Sequence, residues 1–193
     1  MKLYHGSNTA GIHILEPRLA DHDRPYVYLT TIDVVSAFYI CNALEKPYYW
    51  FPYGFNENNV PIYHELYPNA FKEISQNRKG YLYEVDAKES QIIPFKNIPC
   101  ARLGTEPLEV VDFIEISDAY AYFIECVDNG KLEIGKFEDK SEKELENWYK
   151  MILGVIQEKN MKDTPNCSYA EFVKNKFPFI WDDYINNNSK HFG

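Results

Sequence analysis

Apolar and polar positions change their period repeatedly along this chain, and each change marks an element. Lys2 to His5 reads as a short strand stopped at Gly6, and His13 to Pro17 as a second extended piece closed by proline. Asp21 to Pro25 is a turn. Val27 to Thr30 is a strand, Thr31 is placed to cap the helix after it, and Asp33 falls in the first turn, where a negative charge meets the helix dipole favourably. Val34, Val35, Phe38 and Cys41 supply that helix with a buried stripe as far as Leu44.

From Lys46 to Asn77 the periodicity gives way to Pro, Asn and aromatic residues, with one helical turn over Ala70 to Ser75. Excursions of this length inside compact domains tend to carry function. The aromatic run from Tyr48 to Phe55, with Tyr63 and His64, either contacts a substrate or caps the core. Regular pattern returns with strands at Gly80 to Asp86, Ile92 to Phe95 and Leu108 to Ile116. Ser117 is placed to cap a helix carrying Tyr120, Phe123, Ile124 and Val127 on one face, and Asn129-Gly130 to end it. Ser141-x-x-Glu144 is a capping-box signature opening the clearest helix, with Leu145, Trp148, Tyr149, Ile152 and Ile156 on one side. Ser168-x-x-Glu171 repeats the signal before a last helical piece, and the tail from Asn186 reads as frayed.

Strands and helices mixed along the chain in this way describe an α+β chain. With 193 residues and 45% hydrophobic positions, it has enough apolar surface to build a core without staples. The formal charge of −9, with no basic run longer than two residues, argues against a sequence-independent grip on nucleic acid. Cys41, Cys100, Cys126 and Cys167 are widely spaced, with neither a Cys-x-x-Cys pair nor His at ligand spacing, so free thiols are expected and no metal site. Neither a signal-peptide core at the N-terminus nor a run near the ~20 apolar residues of a membrane span is visible. The expectation is a soluble, cytoplasmic protein.

Two short segments carry the candidate chemistry. Leu3-Tyr4-His5-Gly6-Ser7 ends a strand in His-Gly-Ser, and Tyr26-Val27-Tyr28-Leu29-Thr30 feeds a helix bearing Tyr39, eleven positions beyond Tyr28. Ser36-Ala37-x-Tyr39 adds small residues ahead of that second tyrosine. Together these resemble the ADP-ribosyltransferase fold in its His-Tyr-Glu branch, which includes the poly(ADP-ribose) polymerases and the rifamycin-modifying ADP-ribosyltransferases. The resemblance covers roughly Lys2 to Ile116. It implies a split antiparallel sheet as the core of a domain over residues 1–135, with a helical extension over 136–193 packed on it.

The implied substrate is NAD. Cleaving its nicotinamide–ribose bond passes through an oxocarbenium-like transition state, which requires orientation and a nearby negative charge more than a nucleophile from the protein. By resemblance His5 binds the ribose, the backbone of Gly6 pairs with the carboxamide, and Ser7 adds a hydroxyl. The rings of Tyr28 and Tyr39 hold the nicotinamide, and Ser36 stands with them. The carboxylate falls to Glu106 or to Glu109, at the head of the late strand where the polymerases place theirs. The rifamycin enzymes carry their acidic residue in an earlier loop, and Lys88 to Pro94 has no matching aspartate. The activity so implied is mono-ADP-ribosyl transfer to a protein or small molecule, or NAD hydrolysis when water is the acceptor. A scaffold that keeps the pocket but lacks the carboxylate would bind NAD or ADP-ribose without turnover.

Overall fold

The computed structural model describes residues 1–19, 24–41, 53–95 and 98–186. The aromatic run at 48–52, the turn residues 21–23, Leu44 and the tail from residue 187 lie outside them. The chain is an α+β protein that divides into two compact units. One holds Met1–Asn42, Phe55–Pro61 and Lys72–Glu133; the other holds Ala43–Gly54, Ile62–Phe71 and Ile134–Gly193.

The first unit is built on strands β1 (Lys2–Ser7), β2 (Ile14–Leu15) and β3 (Val27–Thr30), followed by helix α1 (Asp33–Ala37). Strands β4 (Tyr53–Phe55) and β5 (Pro61–His64) and helix α2 (Ala70–Ser75) come next, and β6 (Gly80–Asp86), β7 (Ile92–Pro94), β8 (Ala101–Gly104), β9 (Leu108–Ile116) and helix α3 (Ala119–Asp128) complete this part of the chain. Seven strands form one sheet in the order β2-β9-β6-β1-β3-β8-β7, antiparallel at every pairing.

Alternation along each strand divides the sheet into two faces. On one, Leu3, Leu15, Val27, Leu29, Val85, Ala87 and Leu108 form a buried cluster. Beyond Leu3 the same face of β1 continues as His5 and Ser7, and the register carries His5 through Tyr83 to Phe113 in a cross-strand row. Against the opposite face lies α1, whose Val34, Val35, Ser36 and Ala37 are buried. Phe38 meets Phe123 of α3 with ring centroids 5.0 Å apart.

Helix α1 is shorter than the sequence pattern implies and is capped differently. Its N-cap is Ile32 rather than Thr31, without a side-chain capping bond, and after Ala37 it tightens into a 3₁₀ turn over Phe38–Cys41. The buried stripe Val34, Val35, Phe38, Cys41 is as read from the sequence. Asp118, not Ser117, caps α3: one carboxylate oxygen accepts from the Ala121 N–H at 2.9 Å and the other from the Asn77 N–H at 2.8 Å. Its buried face runs Ala119, Phe123, Cys126, one step round from the face expected. Gly130 follows in the left-handed region at φ 69°, which glycine adopts without the cost a Cβ imposes.

In the second part of the chain, β10 (Glu133–Gly135) joins β5 and β4 in a three-stranded sheet of order β10-β5-β4. Helices α4 (Glu142–Glu158), α5 (Ser168–Lys176) and α6 (Pro178–Asn186) follow. The Ser141–Glu144 capping box forms, with Glu144 Oε2 accepting from the Ser141 N–H at 2.8 Å. Helix α5 starts one residue earlier than its second signal suggests: Cys167 is the N-cap, its sulfur accepting from the Ala170 N–H. Pro178 at the first position of α6 fits a residue whose missing N–H would be unbonded there anyway. Trp148 anchors this unit, its indole N–H donating to the Leu66 carbonyl at 2.9 Å and its ring edge-on to Phe137 and Phe177. Tyr149 donates its hydroxyl to the buried Asp183 carboxylate at 2.6 Å.

Candidate functional site

Where the buried cluster of the large sheet ends, a cleft of about 100 Å³ opens on the same face. Its floor is His5 and Ser7 of β1 with Tyr26, Val27 and Tyr28 at the head of β3. Ile14 and Leu15 of β2, with Ile12 before them, form a wall, and Glu16 and Arg18 follow on its rim. The segment bearing Arg18 is fixed by a two-bond bridge to Tyr26, at 3.0 and 3.1 Å. Tyr83, buried beneath, donates its hydroxyl to the Thr9 carbonyl at 2.7 Å and accepts from the Ile12 N–H at 3.3 Å, which holds the loop between β1 and β2 in place.

His5 is the oriented group of the cleft. Its Nδ1 lies 2.8 Å from the Tyr28 carbonyl oxygen, and an acceptor there requires that Nδ1 carry the proton. Burial lowers its pKa from the ordinary histidine value; the Tyr28 bond opposes that shift and the nearby Arg18 cation adds to it. The ring is therefore neutral at pH 7, with the lone pair on Nε2 available to a hydroxyl donor.

The structure brings His5 and Ser7 into this one cleft with the backbone carbonyl of Tyr28. The Tyr28 ring, between Val27 and Leu29 of the buried cluster, falls on the opposite face of the sheet and so does not stand beside His5 as the resemblance implies. Gly6 and Ser36 meet elsewhere, on the α1 face of β1. A Cβ on Gly6 would stand 1.9 Å from the Ser36 carbonyl oxygen, so the glycine is what lets helix and strand touch. The Ser36 hydroxyl donates to the Tyr4 carbonyl at 2.8 Å and lies 3.0 Å from Thr30 Oγ1, with the residue 1% exposed. Tyr39, on the 3₁₀ turn and 40% exposed, is not among the lining residues.

Neither of the two glutamates read from sequence lines the cleft. Glu106 is exposed in the turn between β8 and β9, where it accepts from Gln91 Nε2 at 2.7 Å. Glu109 is exposed on β9, opposite Ile14 of β2. Among the described residues, the acidic one lining the cleft is Glu16. Read from sequence, Glu16 and Arg18 have no role and Tyr26 stands only at the head of its strand segment; the signal for all three is their position on either side of a proline-bounded turn, in Glu16-Pro17-Arg18 and Pro25-Tyr26.

An oriented neutral imidazole, a serine hydroxyl, a guanidinium, a carboxylate and apolar walls suit a polyhydroxylated, anionic ligand with a flat ring. Among the described residues no group of three or more His, Cys, Asp or Glu is placed to hold a metal ion, and no helix is long and apolar enough to cross a membrane. The fold and cleft thus define an α+β protein with one oriented histidine at a polar-rimmed site. No family model, curated protein or solved structure matches the chain.

Proposed function

We propose that the chain binds NAD in the His5 cleft and transfers its ADP-ribose to an acceptor, with nicotinamide as leaving group: a mono-ADP-ribosyltransferase, or an NAD glycohydrolase where water accepts. The observation that carries this reading is the tether of His5 Nδ1 to the Tyr28 carbonyl, 2.8 Å long, inside a cleft that also presents Ser7 and Arg18. His5 Nε2 accepts from a ribose hydroxyl, Ser7 adds a second polar contact, and Arg18 answers the diphosphate charge. NAD supplies the glycosidic bond that breaks; its electron pair leaves with nicotinamide, and the acceptor's lone pair forms the new bond at the same ribose carbon. The carboxylate that favours positive charge building at the ribose is assigned to Glu16, an acidic side chain lining the cleft.

A second reading is favoured by one observation, the position of Glu106 and Glu109 outside the cleft. It makes the protein a binder of NAD or ADP-ribose without turnover. Nicotinamide release from NAD, followed by chromatography, separates the two when read beside calorimetric binding. Release lost in His5→Ala and Glu16→Gln but kept in Glu106→Gln supports transfer with Glu16 as the carboxylate. Loss in Glu106→Gln instead moves that role to the β8–β9 turn. Binding without release supports the second reading, and absence of both overturns the NAD assignment.

A further inference from the structure

Strand β9 spans nine residues, but its outer edge is covered only at the start. β2 pairs with it at Leu108 and Glu109, and the Val110 N–H donates to the His13 carbonyl at 2.9 Å. From Val111 to Ile116 no strand among the described residues pairs with that edge. The same stretch exposes large apolar side chains, Val111 at 59%, Phe113 at 56% and Ile114 at 49%. Unpaired edges are templates for another strand, and folded proteins ordinarily shorten, bulge or charge them.

The charges on this edge are of one sign. Glu109, Asp112 and Glu115 are exposed, and none enters an ion pair among the described residues. The strand carries no lysine or arginine. Neighbouring acids on β6 are already answered, Glu84 by Lys2 at 2.8 Å and Asp86 by the N-terminal ammonium at 2.6 Å. Asp112 instead turns back to accept from the Phe113 N–H at 2.8 Å.

We propose that the open edge of β9 docks an extended segment of a partner polypeptide in which a pair of apolar residues is flanked by lysine or arginine, complementary to Asp112-Phe113-Ile114-Glu115. Main-chain hydrogen bonds to Asp112–Ile116, past the bulge at Val111, supply the register; Phe113 beside Glu115 on one face and Ile114 beside Asp112 on the other supply apolar contact, and the carboxylates select the basic partner. A second copy of this chain does not fit, because it would set Asp112 and Glu115 against the same two carboxylates with no cation on either strand. The surface is independent of the NAD reading. Phe113 stands in the row with Tyr83 and His5, so an added strand lies about 14 Å from His5, three spacings of ~4.8 Å.

The test titrates the whole chain with a synthetic peptide repeating lysine-valine-valine-lysine, and with its counterpart carrying glutamate for lysine, at low salt. Amide hydrogen exchange locates the contact. The expected result is slowed exchange at Asp112–Ile116 with the lysine peptide, bound about ten-fold more tightly than the glutamate peptide. Glu109→Lys, Asp112→Lys and Glu115→Lys together should reverse that preference. Where the reversed chain does not fold, the unaltered chain decides: affinity for the lysine peptide must fall as salt rises. Binding without protection of those amides, equal binding of both peptides, salt-independent affinity, or protection of the edge by the chain alone at raised concentration would each overturn the proposal.

Discussion

Replacing Gly6 by alanine tests whether this glycine is a packing requirement of the first unit. The added methyl would stand 1.9 Å from the carbonyl oxygen of Ser36 and 2.8 Å from its carbonyl carbon. Both are backbone atoms, so no rotamer change relieves the clash. Reaching an ordinary contact of about 3.5 Å moves α1 off β1 by roughly 1.5 Å. That shift pulls on the Ser36 hydroxyl, bonded at 2.8 Å to the Tyr4 carbonyl and set 3.0 Å from Thr30 Oγ1, and on the buried Val34, Val35 and Phe38. Overpacking of this kind costs about 1–3 kcal/mol and each weakened buried hydrogen bond about 1, so the expected loss is about 3 kcal/mol. Because the chain has two compact units, the assay should be local: native-state exchange of β1 and β3 amides in increasing urea. Ser36→Ala, which keeps the space and loses only the hydroxyl bonds, should cost less. A loss below about 1 kcal/mol for Gly6→Ala would refute the reasoning, since α1 would then slide without strain.

Other consequences are as direct. The His5 pKa is lowered in the folded chain, so the unfolded chain binds the extra proton first; stability is full above the ordinary value of 6.5 and declines as pH falls through it, and His5→Gln should flatten that part of a urea-midpoint profile against pH. Tyr149→Phe deprives the buried Asp183 carboxylate of a donor 2.6 Å away and should cost about 2 kcal/mol in a urea melt read by tryptophan fluorescence. Burial, then the Asp183 bond, pushes the Tyr149 hydroxyl up to about 12, so spectrophotometric titration should show one phenol ionising late that is absent in the variant. Partial burial raises the Cys167 thiol, but bonds from the Ala170 N–H, Thr164 and nearby backbone outweigh it and bring the thiol below its ordinary range. Mass spectrometry after brief alkylation at neutral pH should therefore find Cys167 modified ahead of the buried Cys41, Cys100 and Cys126.

Local signals made most of this fold readable, and non-local pairing hid the rest. Strands β1, β3, β6 and β9 announce themselves by alternating side chains, and α4 by its capping box and apolar stripe. The single turn of α2 stood out within an otherwise irregular excursion. The three-stranded sheet did not. Gly54 interrupts β4, Pro61 opens β5, and their partner β10 lies some seventy residues further on, so nothing in a short window reports the pairing. Strand β8, Ala-Arg-Leu-Gly, lacks the β-branched and aromatic residues that mark its neighbours and is held by β3 and β7 on either side. The caps at Ile32, Asp118 and Cys167 each differ by one residue from the expected Thr31, Ser117 and Ser168, because where helix bonding begins depends on how the chain enters from the sheet or loop before it.

The short motif His5-Gly6-Ser7 serves two faces of one strand, and separating them decides which substitutions report on function. Gly6 and Ser36 are accounted for by packing: one admits α1 to the sheet, and the other spends its hydroxyl on Tyr4 and Thr30. His5 is not consumed by the core in that way. Only its Nδ1 is bonded among the described residues, by an interaction that orients the ring rather than filling it, and the opposite nitrogen is left for the cleft with Glu16 and Arg18. Changes at Gly6 and Ser36 should therefore lower stability first and ligand binding only through it, while His5→Ala and Arg18→Ala should remove binding with little change in the unfolding midpoint. The reverse pattern, binding lost on changing Ser36 at unchanged stability, would place the ligand on the α1 face and move the site across the sheet.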